Sequence, residues 1–218
     1  MTKNGIISQN RVKAYGEVFT PDSIVNSMMD SVDNRFNPIC SEKEYISKIF
    51  LEPACGDGQF LLRILYRKLE KVLKLPVEER QLYLVKALCS ISGVDIQEDN
   101  VVNARKRMRA IATGQPVETF DLDNKMQIIQ MNLGIEYTEQ LTAIIDYILN
   151  RNIICGNTLD DNNPVILTDY KFNGENVVLA ECPINNLNQE NSNSPETHYM
   201  SLTDLQATAS PYLDEYDF

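Results

Sequence analysis

The sequence has no tryptophan and a single histidine, His198, among its 218 residues. One histidine does not provide the ligand spacing of a structural metal site. No CxxC pair occurs, and an odd number of cysteines argues against a closed disulfide framework. The five cysteines stand at positions 40, 55, 89, 155 and 182. These absences predict a reduced protein without a structural metal.

Long apolar runs are also missing. No stretch of about 18 apolar residues occurs, so the sequence predicts no membrane span. The first ten residues, MTKNGIISQN, lack the apolar core of a signal peptide. We therefore expect a cytoplasmic protein that contacts no membrane.

Basic residues are scarce in the last part of the chain. From Gly156 to the C-terminus there are 11 acidic residues and one base, Lys171, so this part carries nearly all of the net charge of −11. A block of this kind is typical of a solvated face or tail. The DNA phosphate backbone would repel it. The acidic part is therefore predicted not to face DNA, whereas the preceding part is nearly neutral.

Apolar periodicity and turn residues predict strands that alternate with helices. The first predicted helix has Thr20 as its cap and Pro21 as its first residue. Further helices are predicted over residues 60–75, 77–90, 97–112 and 138–150. Strands are predicted to run through 45–53 into a glycine loop and over 91–96, and a third strand with a turn is predicted over 151–159. Residues 113–137 are interpreted as a polar connection. The alternation predicts an α/β domain with a largely parallel sheet.

The C-terminal part has a different pattern. Residues 164–172 and 176–184 read as two strands, and Asn173-Gly174 between them is a hairpin signal. An Asn/Ser-rich polar stretch and further acidic residues follow. We therefore divide the chain into a domain over residues 1–184 and a polar linker with an acidic extension over 185–218.

The stretch LEPACGDGQFL, residues 51–61, is the best candidate for a binding loop. Gly56 and Gly58 allow the backbone to turn sharply and to approach a ligand. The helix that follows offers free N–H groups to an anion. Glu52 could accept hydrogen bonds from an ammonium or a hydroxyl group. Asp95 ends the next predicted strand, where its carboxylate is placed to bind ribose hydroxyls, and Ile96 could pack on an adenine.

Four motifs in this order, YGEVFTP, LEPACGDGQFL, GVDI and IICGNTL, resemble S-adenosylmethionine-dependent DNA adenine-N6 methyltransferases. The resemblance is greatest to the modification subunits of restriction-modification systems and to short phage or prophage proteins of that type. It covers roughly residues 14–160. It implies a Rossmann-like class I methyltransferase fold with a mainly parallel sheet, truncated here, plus a C-terminal β-hairpin and an acidic tail.

The resemblance also implies roles for individual residues. Phe19, Thr20 and Pro21 would line the methionine end of S-adenosylmethionine, and Glu52 with the loop 54–58 would hold its amino and carboxylate groups. Asp95 would bind the ribose and Ile96 the adenine. Asn157 stands where the family usually has an aspartate near the adenine amine. The complete set of implied cofactor-binding residues is Tyr15, Phe19, Thr20, Pro21, Glu52, Ala54, Cys55, Gly56, Gly58, Phe60, Asp95, Ile96 and Asn157.

The chain departs from this family at the catalytic motif. Family enzymes carry an Asn-Pro-Pro-Tyr type of tetrapeptide after the fourth strand, which polarises the amine of the flipped adenine and stacks on its ring. The best alignments here offer residues 181–184, Glu-Cys-Pro-Ile, or the pair Asp169 and Tyr170. Neither restores the motif, so no catalytic residue is assigned. The basic run ARKRMR at 104–109 is interpreted as a solvated helix face, as are Arg63 and Arg67.

Three hypotheses follow. The chain is a small enzyme that transfers a methyl group to the exocyclic amine of adenine in DNA, acting alone or with a partner subunit. Alternatively, it is a methyltransferase-like binding module, a pseudoenzyme that retains the cofactor in a regulatory, defence or anti-restriction role. The third hypothesis is a methyltransferase with another substrate. The sequence leaves open whether the protein forms homo- or hetero-oligomers.

Overall fold

The computed structural model describes residues 20–120, 126–173, 176–186 and 197–201. In chain order it contains α1 (Asp22–Phe36), α2 (Glu42–Ile46), β1 (Phe50–Glu52), α3 (Gln59–Val72), α4 (Val77–Cys89), β2 (Ile91–Asp95), α5 (Glu98–Ala112), β3 (Val117–Phe120), β4 (Met126–Ile129), α6 (Glu139–Asn152), β5 (Ile153–Cys155), β6 (Ile166–Asn173), β7 (Asn176–Pro183) and β8 (Thr197–Ser201). Within these residues, no helix combines the length and apolar content needed to cross a membrane.

A three-stranded parallel sheet forms the centre of the molecule. Its order is β1-β2-β5, with Glu52 paired to Gly93 and Asp95 paired to Cys155. Helices α3 and α4 connect β1 to β2, and α5 and α6 lie between β2 and β5. Such long helical crossovers are what parallel strands require. The chain is therefore a mixed α/β protein, as the alternation of patterns predicted.

The two faces of this sheet are covered differently. On one face, Ile91 and Ile153 belong to a large core with the apolar residues of the helices. On the other face, Val94, with Leu51 and Ile154 beside it, packs against Val165 and Leu167 from the chain around the start of β6. One side of the sheet is thus helical, and the other is in contact with the C-terminal strands.

The predicted hairpin is confirmed. Strands β6 and β7 pair antiparallel from Ile166↔Pro183 to Asn173↔Asn176, and β8 adds a third antiparallel strand beside β7. These strands form a sheet of their own and do not join the parallel sheet among the described residues. The segment that aligned with the family's fourth strand, residues 177–184, therefore lies in and just after β7, which is not paired with β1.

Three parts of the chain depart from the sequence-based prediction. The strand expected from residue 45 begins at Phe50, because Ser41 and Glu44 form a capping box that starts the short helix α2. The polar connection over 113–137 contains the antiparallel strands β3 and β4. At the start of α1, Pro21 occupies the N-cap position, which was predicted for Thr20, and helical residues begin at Asp22.

Candidate functional site

The three parallel strands end at the same edge of the sheet, at Glu52, Asp95 and Cys155. Two hydrogen bonds hold the following loops together: the Cys55 N–H donates to the Val94 carbonyl at 2.8 Å, and the Gly156 N–H donates to the Asp95 carbonyl at 2.9 Å. Ligands of open α/β sheets bind at the carboxyl ends of the strands. The predicted residues of the glycine loop, β2 and the turn after β5 are thus brought to one edge.

The Asp95 carboxylate connects the glycine loop to β2. Its Oδ2 accepts a hydrogen bond from the Gly56 N–H at 2.9 Å. Its Oδ1 accepts from the Gln97 N–H at 2.9 Å and from the Asn100 side-chain amide at 3.1 Å. A carboxylate has about four acceptor positions. Three donors therefore orient Asp95 and leave it capacity for a further donor, such as a hydroxyl group.

Glycine is required at the two loop positions for different physical reasons. Gly58 has a φ of +87°, and a Cβ added there would lie 2.8 Å from the Ala104 Cβ on α5. Gly56 has a φ of +54°, but a Cβ there would meet no atom within 4 Å. Gly58 is therefore required for the loop to approach α5, whereas Gly56 is required for the turn and leaves open space beside it.

The N-terminal turn of α3 follows this loop directly. The Gly58 N–H donates to the Cys55 carbonyl, and the bond from the Leu62 N–H to the Gly58 carbonyl begins the helical ladder. N–H groups in the first turn of a helix lack intrahelical acceptors and favour anions. The loop and this turn thus form a cradle suited to a carboxylate or another small anion.

Glu52 lies at the end of β1 and is half-buried. Its Oε1 accepts a hydrogen bond from the Ala54 N–H at 3.3 Å. Burial raises the pKa of the Glu52 carboxyl, and the Ala54 N–H partly offsets this effect. An ammonium group bound beside Glu52 would favour the ionised form. The position is thus suited to a cationic ligand group.

An apolar side chain and a polar turn lie at the other end of this edge. Ile96, directly after Asp95, is 56% exposed. The Asn157 Oδ1 accepts a hydrogen bond from the Leu159 N–H at 3.0 Å and so closes the turn after β5. The Cys155 thiol lies 3.7 Å from the Ile96 carbonyl oxygen, which places this turn beside Ile96. An exposed isoleucine at this position could pack on a flat apolar ring.

The remaining residues of the predicted set differ in their exposure. Tyr15 and Phe19 lie outside the described residues, and Thr20 is half-buried. Ala54 is exposed and Phe60 is half-buried in α3. Cys55 is buried, and burial raises the pKa of its thiol to about 12. Cys55 is therefore a packing residue, and its thiol is not activated as a nucleophile.

The sequence-based interpretation missed a group of charged residues beside the loop. Asp22 is 3% exposed, and its carboxylate accepts hydrogen bonds from Gln59 and Arg63. Arg107 binds Asp57 and Gln59. The expected solvated faces are thus wrong for Arg63, which is 8% exposed, and for Arg107. Two features of the sequence could have indicated this group: an acid at the start of a helix, and a glutamine directly after the glycine loop.

The two candidate groups of these alignments, Glu181 and Tyr170, lie elsewhere. Glu181 on β7 pairs with Arg151, and Arg151 lies two residues before the start of β5. This position is at the amino end of β5, opposite the edge that carries Asp95. Tyr170 on β6 packs against the core, and its hydroxyl donates to the Asn152 side chain at 2.9 Å. Glu181 and Tyr170 therefore do not reach the carboxyl edge. The end of the first alignment does reach it, because the Ile184 N–H donates to the Val165 carbonyl at 2.8 Å and Val165 lies against Gly156, but Pro183 and Ile184 carry no polar side-chain group.

A cavity of about 290 Å³ lies near the amino ends of β1 and β2. Its lining includes the residues just before these strands and part of β6: Ser47, Ile49, Lys86, Cys89, Ser90, Asp169, Tyr170 and Phe172. None of the predicted cofactor-binding residues lines it. The cavity is thus separate from the loop edge described above.

The chain is thus a mixed α/β protein in which a glycine loop and an acid meet at the carboxyl ends of parallel strands. The chain matches no family model, no curated protein and no solved structure.

Proposed function

We propose that this protein binds S-adenosylmethionine at the carboxyl edge of its parallel sheet, as a methyltransferase-like module of the DNA adenine-N6 type. The observation that carries the proposal is the hydrogen bond between the Gly56 N–H and the Asp95 carboxylate. It joins the two sequence motifs that the resemblance assigns to the amino-acid and ribose parts of the cofactor. In this proposal, the fold is a shortened Rossmann-like methyltransferase domain.

For each part of the cofactor, this edge of the sheet offers chemical groups that suit it. Glu52 and the first turn of α3 offer an acid and free N–H groups, which suit the ammonium and carboxylate of the methionine part. Asp95 accepts hydrogen bonds and suits the ribose hydroxyls. The exposed Ile96 and the Asn157 turn offer an apolar surface and a polar group, which suit the adenine.

The placement of the C-terminal strands favours a binding module over an enzyme that acts alone. Methyl transfer to adenine requires groups that hold the exocyclic amine in line with the methyl group. Glu181, the first residue that aligned with the catalytic tetrapeptide, pairs with Arg151 instead, and the three residues after it offer neither an amide side chain nor an aromatic ring. We infer that the protein has a regulatory, defence or anti-restriction role. In this role it acts by binding the cofactor and transfers no methyl group.

A second candidate is methyl transfer to the adenine amine of DNA with the help of a partner subunit. This candidate is favoured because the motifs assigned to the methyl-donor site occur in the same order along the chain as in the family. They include Thr20 and Pro21 at the start of α1. In this case the partner supplies the groups that hold the target base. The DNA contact then also comes from the partner, because the acidic C-terminal part disfavours it.

Calorimetric titration with S-adenosylmethionine tests the proposal. The wild type should bind with a defined stoichiometry, and Asp95→Ala should bind at least about tenfold more weakly because a ribose acceptor is lost. Glu98→Gln is the matched control, since Glu98 is an exposed acid one turn away. Absence of binding by the folded wild type would overturn the proposal.

An assay with S-adenosylmethionine that carries a tritiated methyl group distinguishes the two candidates. The binding module should transfer none to unmethylated DNA at a saturating cofactor concentration. Transfer by the isolated chain would refute the binding-module role, and transfer only after addition of a partner subunit would support the second candidate.

A further inference from the structure

Four side chains connect the start of α1 to the glycine loop and to α5: Asp22, Asp57, Gln59 and Arg107. We call them the loop network. Asp22 is the first residue of α1 and directly follows Thr20 and Pro21. Gln59 is the first residue of α3 and directly follows Gly58. The network thus joins two segments that lie 37 residues apart in the chain.

The contact between Asp22 and Gln59 is buried. The Gln59 Nε2 donates to the Asp22 Oδ1 at 2.5 Å, and Arg63 Nη2 donates to the Asp22 Oδ2 at 2.9 Å. Asp22 is 3% exposed and Gln59 is 8% exposed. A buried carboxylate is costly unless it is paired and hydrogen-bonded. These two hydrogen bonds therefore hold the start of α1 against the first turn of α3.

Arg107 connects the same glutamine to the loop. Its Nη2 donates to the Gln59 Oε1 at 2.5 Å, and its Nη1 donates to the Asp57 Oδ2 at 2.8 Å and to the Asp57 carbonyl at 3.1 Å. A planar guanidinium can hold two partners at once in a fixed geometry. One arginine on α5 therefore orients both Asp57, within the loop, and Gln59, directly after it.

The amide of Gln59 has different partners on its two sides. Its oxygen accepts from Arg107 and its nitrogen donates to Asp22. The two partners, a cation and an anion, determine which way the amide faces. A glutamate at this position could still accept from Arg107 but would face the Asp22 carboxylate with a second negative charge.

We propose that the loop network positions Thr20 and Pro21 against the glycine loop, and that Gln59 is the positioning residue that makes binding selective for the amino-acid end of the cofactor. This inference rests on the proposed function. The network would thus cause the difference in affinity between S-adenosylmethionine and an adenosine ligand without the amino acid. Asp95, Ile96 and Asn157, which serve the adenosine part, lie outside the network.

The test compares two ligands on defined variants. The ligands are S-adenosylmethionine and 5′-methylthioadenosine, which keeps the adenosine and lacks the amino-acid part. Gln59→Glu should weaken S-adenosylmethionine at least about tenfold, because it breaks a charge-assisted hydrogen bond. The affinity for 5′-methylthioadenosine should change by less than about twofold, because its contacts with Asp95 are retained.

The double variant Asp22→Asn with Gln59→Glu provides a rescue. The new asparagine can donate to the new glutamate and accept from Arg63, and the total charge of the network is unchanged. This variant should recover most of the selectivity for S-adenosylmethionine. Asp30→Asn is the matched control, because Asp30 on α1 pairs with Arg67 on α3 at 2.6 Å, two helical turns from the loop. It should leave the ratio of the two affinities unchanged.

The outcomes separate the inference from the proposed function. Equal weakening of both ligands by Gln59→Glu, or no weakening of either, would overturn the positioning role while cofactor binding stands. A wild type that binds neither ligand would overturn the proposed function and the inference with it. If Gln59→Glu fails to fold by circular dichroism, Arg107→Lys is measured instead. It keeps the charge but cannot hold Asp57 and Gln59 together, so the same selective loss is expected.

Discussion

The Gly56 backbone N–H donates a 2.9 Å hydrogen bond to the Asp95 carboxylate, 39 residues further along the chain. This bond joins the loop after β1 to the end of β2. Two more donors, the Gln97 N–H and the Asn100 amide, hold the same carboxylate. Asp95 is therefore both a structural acceptor and the proposed ribose acceptor, and its removal has consequences for both stability and binding.

Asp95→Ala should lower the free energy of unfolding by about 2 kcal/mol, because three donors lose a charged acceptor. Urea denaturation measures this loss. Gly56 and Gln97 lie in turns that water can reach, which limits the cost. The Glu98→Gln control should change stability by less than about 0.5 kcal/mol, as is usual for surface substitutions. A stability of Asp95→Ala equal to that of wild type would contradict the role of these three hydrogen bonds.

Glu52→Gln should make the protein more stable at neutral pH and weaken its binding of S-adenosylmethionine. Burial raises the pKa of Glu52 above its ordinary 4.5, so the folded state holds the proton more tightly than the unfolded state. The wild type therefore loses stability as the pH rises from about 4.5 through the raised pKa. The glutamine variant lacks this loss, and its advantage should grow with pH over that window in urea denaturation.

Glu44→Gln provides a control of opposite sign for this pH experiment. The Ser41 N–H holds the pKa of Glu44 below its ordinary value, so Glu44 stabilises the ionised fold. Its substitution should therefore reduce stability at neutral pH, and the difference from wild type should shrink as the pH falls through the lowered pKa. The same direction of change for both variants would contradict the assigned environments.

Gly58→Ala and Gly56→Ala should differ in cost. At Gly58 both the positive φ and the 2.8 Å approach of Ala104 oppose a Cβ, so we expect a loss of about 3 kcal/mol. At Gly56 the Cβ meets open space, so φ strain alone should cost about 1 kcal/mol. Thermal and urea unfolding of the two variants measure the difference. Equal losses would show that the packing against α5 does not decide the geometry of the loop.

Lys68→Met should lower the free energy of unfolding by about 2 kcal/mol, because buried acceptors lose their donor. The Lys68 ammonium donates to the carbonyls of Ile46 and Lys48 and to the Ser90 hydroxyl. The matched control is Arg67→Met on the same helix. Arg67 is partly exposed and pairs with the exposed Asp30 and, at 3.6 Å, with Asp33, so its loss should cost less than about 1 kcal/mol. The order of the two losses, measured by urea denaturation, is the decisive result.

Helices and strands with strong local signals could be predicted from the sequence. The apolar stripes of α3 and α5 placed them within one residue of their observed starts, and α6 lies within two residues of its predicted bounds, with Thr138 as a cap that accepts from the Leu141 N–H. Asn173-Gly174 correctly predicted the β6–β7 hairpin. These features are local: a cap, a turn or a helical face depends on residues a few positions apart.

Elements with weak local signals could not be predicted. Strand β4 exposes Met126, Gln127 and Ile128, so its sequence lacks the alternation that marks a half-buried strand. Helix α2 has five residues, too few for an apolar period to show. The antiparallel pairing of Val117 with Ile129 is what defines β3 and β4.

The alternation of the parallel strands with the longer helices, the glycine loop and the acid that ends β2 follow from the sequence alone, because glycine flexibility and apolar periodicity act within short segments. Tertiary structure alone decided that Asp22 is buried against Gln59 and that Arg107 reaches Asp57. It also decided that Glu181 pairs with Arg151 at the amino end of β5. The physical reason is that an isolated charge prefers water. Burial becomes favourable only when distant segments bring it an opposite charge and hydrogen-bonding partners.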